Sequence, residues 1–124
     1  MLLNDLYTIQ SLTETQNGIQ ATVQLRADHA IFKGHFPGQP VLPGVCMMEM
    51  IAEITGKYLE KEFRIYGGPL IKFLHMIDPL HHPLISLEIK YQVTYINTVV
   101  HGKIYFGSDI FMKFQLILIS NPVQ

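Results

Sequence analysis

Residues 43–59 read PGVCMMEMIAEITGKYL and predict the one long helix of this chain. Proline is common in the first turn of a helix. The residues that follow are apolar on nearly every side of the helix, which is typical of a helix buried in a core. The exceptions are Glu49, Glu53 and Lys57, which recur every four residues and therefore share one stripe.

On either side of this helix the sequence predicts about six strands. The clearest lies at 84–96, where apolar and polar residues alternate, as they do in a strand with one buried face. Asn17-Gly18 is a strong hairpin signal between two further strands. The predicted strands are 6–12, 19–26, 69–77, 84–96, 99–106 and 110–119. One buried helix against a mainly antiparallel sheet is an α+β fold.

The composition restricts the function classes. We expect one domain over residues 1–124, since this length is close to the usual size of one domain. The chain is 48% hydrophobic and 15% charged, which excludes intrinsic disorder, and its net charge of −1 argues against a nucleic-acid partner. It has no apolar run of about 18 residues, so no membrane span is expected. A chain this small with so many apolar residues would expose much apolar surface as a monomer. We therefore expect a homo-oligomer.

Cys46 is the only cysteine, and it cannot form an internal disulfide. The first residues, MLLND, lack the charged and apolar segments of a secretion signal. Both observations lead us to expect a cytoplasmic protein.

The residues that could take part in catalysis lie in the segment at 34–49, GHFPGQPVLPGVCMME. The N–H groups of Gly44 and Val45 are unpaired donors of the first helical turn, and with the helix dipole they suit a developing oxyanion. Glycine at position 44 lets a substrate carbonyl approach. His35 is a candidate base and Glu49 a candidate acid, whose pKa the neighbouring methionines would raise. A base, an acid and an oxyanion site are what β-elimination from a 3-hydroxy thioester requires.

Each of these residues also has a plainer interpretation. His35 would be an ordinary structural residue of a loop rich in proline and glycine, and Glu49 would be the first residue of a solvated stripe. Cys46 is a poor candidate nucleophile, because an apolar helix face raises the pKa of a thiol.

The motif His35-Phe36-Pro37-Gly38-x-Pro40-Val41-x-Pro43-Gly44-Val45, with Glu49 fourteen residues after the histidine, resembles the signature of the 3-hydroxyacyl-acyl-carrier-protein dehydratases of type II fatty acid synthesis. The resemblance is dense over residues 34–56. It implies the hot-dog fold of that family, in which an antiparallel sheet wraps one long helix.

The resemblance also implies roles. His35 matches the catalytic base, Glu49 matches the acid that works with the histidine of the other subunit, and the Gly44 N–H matches the donor to the thioester. It implies a homodimer or larger homo-oligomer acting on acyl carrier protein that carries a 3-hydroxyacyl chain, with no cofactor and no metal. In related dehydratase-isomerases the acid is usually aspartate, so glutamate favours dehydration alone.

The chain departs from the family where a Pro-Gly-Asp turn usually precedes the long strand, since residues 78–83 read DPLHHP. This departure suggests a specialised relative, such as one serving a polyene or secondary lipid pathway. Two alternatives stay open: a hot-dog thioesterase or a hydratase of coenzyme A thioesters, and a non-catalytic acyl-binding module.

Three further groups have competing interpretations. A metal site or an ordinary loop would explain His75, Asp78, His81 and His82. A carrier-protein patch or a solvated helix end would explain Lys57, Lys61, Arg64 and Lys72. Core and interface packing is the expectation for Tyr91, Tyr95, Phe111 and Phe114.

Overall fold

The computed structural model describes residues 1–33 and 38–120. Its elements are β1 (Tyr7–Thr15), β2 (Gly18–Leu25), a 3-10 turn (Ala30–Phe32), α1 (Gly44–Leu59), β3 (Phe63–Phe73), β4 (Leu84–Val93), β5 (Thr98–Phe106) and β6 (Asp109–Ser120). Within these ranges, no helix is long and apolar enough to cross a membrane.

The six strands form one sheet in the order β1-β2-β4-β5-β6-β3, and every pair in it is antiparallel. Alternate residues of each strand point to opposite faces, so one face collects the apolar side chains. The buried residues of this inner face include Ile19, Ala21, Val23, Ile85, Leu87, Ile89, Val100, Ile104, Met112, Leu116 and Leu118. They form one core with the buried side of α1, which confirms the predicted α+β architecture.

The helix agrees closely with the sequence prediction. It begins at Gly44, with Pro43 as the flanking cap residue, and ends at Leu59. Glu60 follows in the left-handed conformation and donates its N–H to the Gly56 carbonyl, which closes the last turn. Most of the middle of the helix is buried, as expected for a helix that is apolar on nearly every side.

The bounds of the third strand were predicted wrongly. The sequence predicts a strand at 69–77, but β3 begins at Phe63 and ends at Phe73. Gly67, Gly68 and Pro69 suggest a break, whereas the structure accommodates them in two register shifts against β6. This is possible because β3 lies at the edge of the sheet, where proline removes no ladder bond on the open side.

The long strand at 84–96 is confirmed for most of its length but ends at Val93. Thr94 closes a turn instead, since its N–H donates to the Asn97 carbonyl at 2.8 Å and its hydroxyl contacts the Asn97 side chain at 2.9 Å. Local hydrogen bonding by a threonine and an asparagine therefore overrides the apolar alternation at this end.

Candidate active site at the helix start

The start of α1 has amide groups that the helix itself does not use. Pro43 supplies no side-chain cap, and its carbonyl accepts the N–H groups of Cys46 at 3.0 Å and Met47 at 3.2 Å. The N–H groups of Gly44 and Val45 precede this ladder, so they are the first-turn donors at the positive end of the helix dipole. Such donors can stabilise negative charge on a carbonyl oxygen.

Gly44 lies directly under an aromatic ring. A Cβ atom at position 44 would lie 2.6 Å from the ring atom Cζ of Phe73, which is far too close for two carbon atoms. An open cavity of about 450 Å³ beside the helix start is lined by Gly44, Phe73, His75 and Met76, among others. Packing against Phe73 is thus a second reason for glycine here, besides the approach of a substrate carbonyl.

Glu49 lies on the open side of α1, one helical turn after Val45, whose side chain is 74% exposed. The pKa of its carboxyl is raised, first by partial burial of the side chain and then by the nearby carboxylate of Glu53. The direction agrees with the sequence prediction, although its second cause is Glu53. A raised pKa keeps a carboxyl protonated at higher pH, which suits a general acid.

Glu53 behaves differently, and the sequence analysis missed its role. Its side chain is only 7% exposed and accepts three hydrogen bonds: from the Leu2 N–H at 2.8 Å, the Leu3 N–H at 2.8 Å and the Tyr7 hydroxyl at 2.9 Å. The stripe of Glu49, Glu53 and Lys57 is therefore not uniformly solvated. A second carboxylate in a helix that is otherwise almost wholly apolar was the signal available in the sequence.

In the part of the chain that the structure describes, Gly44 and Glu49 line different cavities. A cavity of about 530 Å³ beside the middle of α1 includes Glu49 and Glu53, whereas Gly44 lines the cavity at the helix start. Five residues correspond to a rise of about 7.5 Å and a rotation of about 140° around the helix. Gly44 and Glu49 therefore lie on different sides of the helix, whereas Val45, four residues before Glu49, lies on the Glu49 side.

His35 lies outside the described residues, together with Gly34, Phe36 and Pro37. Its role as a base stays a prediction.

Cys46 is buried, and burial raises the pKa of its thiol. This direction is the one expected from the sequence and does not favour a thiolate nucleophile.

The histidines before β4 have different surroundings. His81 Nδ1 lies 2.9 Å from the Asp78 carboxylate at the surface, and His75 is exposed. The ring of His82 meets the Phe111 ring edge-on at 4.9 Å between centroids. Over residues 1–33 and 38–120, no group of three or more His, Cys, Asp or Glu side chains is placed to hold a metal ion.

The four cationic residues considered as one patch divide between two places. Lys57 and Lys61 line the cavity beside α1, together with Glu60 and Glu62. Arg64 and Lys72 lie on β3, opposite Ile119 and Lys113 of β6 respectively. The structure therefore does not support a single patch.

The four aromatic residues also differ. Phe111 and Phe114 are buried and Tyr91 packs against the core, as expected. Tyr95 is fully exposed in the turn after β4, so it does not belong to the core of one chain, and a position at an interface stays a prediction. It lies within the predicted alternation but beyond the end of β4, in the turn closed by Thr94.

Comparison with known proteins agrees with this architecture. A 3-hydroxyacyl-[acyl-carrier-protein] dehydratase, FabZ, from Mannheimia succiniciproducens is 38% identical over 60 residues, which are 48% of this chain and 40% of the relative. The FabZ of Haemophilus influenzae strain PittEE is 36% identical over 55 residues, 44% of this chain and 37% of the relative. The matches thus span less than half the length of these curated relatives.

Solved structures show the same fold. The dehydratase heterocomplex ApeI:P from Xenorhabdus doucetiae has a TM-score of 0.65 at 19% identity, covering 90% of this chain and 96% of that chain. The thioesterase HI1161 from Haemophilus influenzae has a TM-score of 0.63 at 13% identity, covering 95% of this chain and 80% of that chain. One helix on a six-stranded antiparallel sheet, shared with such proteins, is the hot-dog fold.

The family match is the most extensive of the sequence comparisons. Residues 11–105 match the ApeI-like family, described as ApeI dehydratase, and this range includes α1, the helix start, three of the six strands in full and most of two others. The chain therefore belongs to the ApeI-like dehydratase family of hot-dog proteins.

Proposed function

We propose that this protein catalyses the dehydration of a (3R)-hydroxyacyl thioester to the trans-2-enoyl thioester and water, in the synthesis of fatty acids or related lipids or polyenes. The observation that carries the proposal is Glu49, a carboxyl group with a raised pKa on the helix whose start presents the Gly44 and Val45 amides, in a chain of a dehydratase family. The proposed substrate is carried by acyl carrier protein, since the matched FabZ relatives are named for such substrates.

In the proposed reaction His35 removes the proton from the carbon next to the thioester carbonyl. The electron pair of that C–H bond forms the new double bond as the C–O bond to the 3-hydroxyl breaks. Glu49 donates its proton to the departing hydroxyl, which leaves as water. The N–H groups of Gly44 and Val45 hold the thioester oxygen, where negative charge develops. Transfer of the proton from His35 back to Glu49 restores the starting state.

The active site is proposed to lie between two subunits. Gly44 and Glu49 line different cavities of the described chain, which favours a site to which two chains contribute. The surface around them is also unusually apolar, with Val45 74%, Phe73 54% and Met76 70% exposed. A second copy would cover this surface and bring its His35 towards Glu49. The relative from Xenorhabdus doucetiae occurs in a heterocomplex, so a different chain is the competing partner.

Hydrolysis of a thioester is the second candidate function, because proteins named thioesterases share the fold. In that case Glu49 would act on water instead of on a hydroxyl leaving group, and a raised pKa also makes a carboxylate a stronger base.

One assay separates these functions. A 3-hydroxyacyl carrier protein is incubated with the enzyme while enoyl thioester absorbance and free thiol are followed together. We expect absorbance to rise with no release of thiol. Release of thiol without enoyl product would make the protein a thioesterase. No change in either signal, with retained binding of the acyl group, would make it a binding module.

A further inference from the structure

The outer face of the sheet carries a row of like charges. The register pairs Lys103 of β5 with Lys113 of β6, and Lys113 with Lys72 of β3, so three lysines lie side by side on adjacent strands. Lys90 of β4 lies on the same face in the neighbouring row. These four residues are called the lysine row below. They are four of the nine Lys and Arg residues in a chain whose net charge is −1.

The lysine row has little compensating charge. Glu88 pairs with Lys103 across β4 and β5. However, in the part of the chain that the structure describes, no carboxylate lies within ion-pair distance of any of the four ammonium groups. Like charges directly opposite each other destabilise a sheet. Their placement therefore works against stability and needs another explanation.

Protection of a sheet edge does not by itself explain why these lysines lie side by side. Lysines on an edge strand prevent pairing with another sheet, and Lys72 on β3 fits this role. Lys103 and Lys113, however, lie on strands that are paired on both sides.

The lysine row lies along a depression of the sheet, and one of its side chains is held in position. The ammonium group of Lys103 lies 4.8 Å from the centre of the Tyr105 ring, and the Tyr105 hydroxyl accepts a hydrogen bond from the Gln20 side chain at 2.8 Å. A shallow depression of about 340 Å³ between the strands is lined by Lys103, Lys113 and Gln115, among others. A cationic, partly ordered and concave surface is complementary to an acidic protein surface.

We propose that the lysine row docks the acidic surface of a carrier protein that delivers the acyl substrate. This inference rests on the proposed function and adds the surface that the carrier recognises. Lys72 immediately precedes Phe73, whose side chain lies on the opposite face of β3 and covers Gly44; since β3 is an edge strand, the row ends just across that edge from the cavity at the helix start. A carrier bound along the row would therefore place its acyl group near that cavity.

The test measures binding of a fluorescently labelled bacterial holo-acyl carrier protein to the full chain. In the variant Lys103→Gln/Lys113→Gln the net charge changes from −1 to −3. The control Thr13→Glu/Gln24→Glu reaches the same net charge by adding two carboxylates to β1 and β2. We expect the lysine variant to lose about fivefold or more in affinity at about 50 mM salt, and the control to lose less than about twofold. The difference should shrink at higher salt because screening weakens the attraction.

Other results would overturn the inference. Equal loss in both variants would show only an effect of net charge. Loss on Lys57→Glu/Lys61→Glu, with none on the lysine variant, would place docking at the helix end. Coenzyme A binding that depends on Lys103 and Lys113, without carrier binding, would assign the row to nucleotide phosphates. Because binding is measured without turnover, a chain that binds the carrier but does not dehydrate would disprove the proposed function alone. Thermal unfolding checks folding, and we expect the lysine variant to be at least as stable as the wild type.

Discussion

The first half and the second half of α1 each carry a glutamate, and the two side chains lie in opposite surroundings. Glu49 lies beside exposed Val45 on a surface that nothing in the described chain covers. Glu53, one turn later, is buried and holds the N-terminal segment through three hydrogen bonds. The difference teaches that spacing in a helix does not decide what a carboxylate does. Its donors and its access to substrate decide it.

The largest expected difference between the two glutamates is in activity. We expect Glu49→Gln to lower kcat by at least about 100-fold, because the amide cannot donate the proton that the leaving hydroxyl needs. Glu53→Gln should lower kcat of the folded enzyme far less, since its oxygens accept from Leu2, Leu3 and Tyr7 and it affects the pKa of Glu49 only as a cause second to burial. Steady-state kinetics at matched folded concentration measures both effects. A larger loss of kcat in Glu53→Gln would reverse the assignment.

A second comparison tests why position 44, in the first half of the helix, is glycine. Gly44→Ala would push against Phe73, so the single variant cannot distinguish crowding of the ring from blockage of substrate. Phe73→Ala removes the ring and leaves space for a Cβ atom at position 44. The comparison is therefore between the double variant Gly44→Ala/Phe73→Ala and the single variant Phe73→Ala. We expect kcat/KM to fall about tenfold or more in the double variant, because a methyl group lies where the thioester oxygen must approach the amides. Equal values would mean that glycine serves only the packing of Phe73.

The second half of the helix should matter most for stability. Glu53→Ala removes the acceptor of two backbone N–H groups and the Tyr7 hydroxyl, and we expect the free energy of unfolding to fall by about 2–3 kcal/mol. Tyr7→Phe should remove about 1 kcal/mol.

Tyr58→Phe is the matched control, because Tyr58 also donates to a glutamate, Glu14, but on the exposed surface. It should remove about 0.5 kcal/mol or less. Urea unfolding with an unchanged slope measures all three variants. Similar losses for the two tyrosine variants would contradict the anchoring role of Glu53.

Much of the fold follows from local pattern, and the exceptions have physical causes. The bounds of α1 and β6 were predicted to within one residue, because a proline precedes the apolar run of the helix and residues 110–119 are rich in β-forming residues. β3 was misplaced because its Gly67-Gly68-Pro69 segment is typical of a break, and only the pairing with β6 shows that an edge strand accommodates it.

The candidate site also has features that the sequence predicted and features that it did not. The raised pKa of Glu49 was predictable from its apolar neighbours. The apolar helix marked Glu53 as unusual but did not identify its partners, because they lie about 50 residues earlier in the chain, at Leu2, Leu3 and Tyr7. The contact of Gly44 with Phe73 likewise joins segments that only the folded sheet brings together.

Subunit mixing tests most directly the central claim, that Glu49 works with the His35 of a second subunit. His35→Ala and Glu49→Gln proteins, each inactive, are mixed and allowed to exchange, with exchange followed by native mass spectrometry. Random exchange makes about half of the dimers mixed, and each mixed dimer has one intact site, so about a quarter of the wild-type activity should return. Activity that stays at background after confirmed exchange would show that the two residues do not meet across subunits.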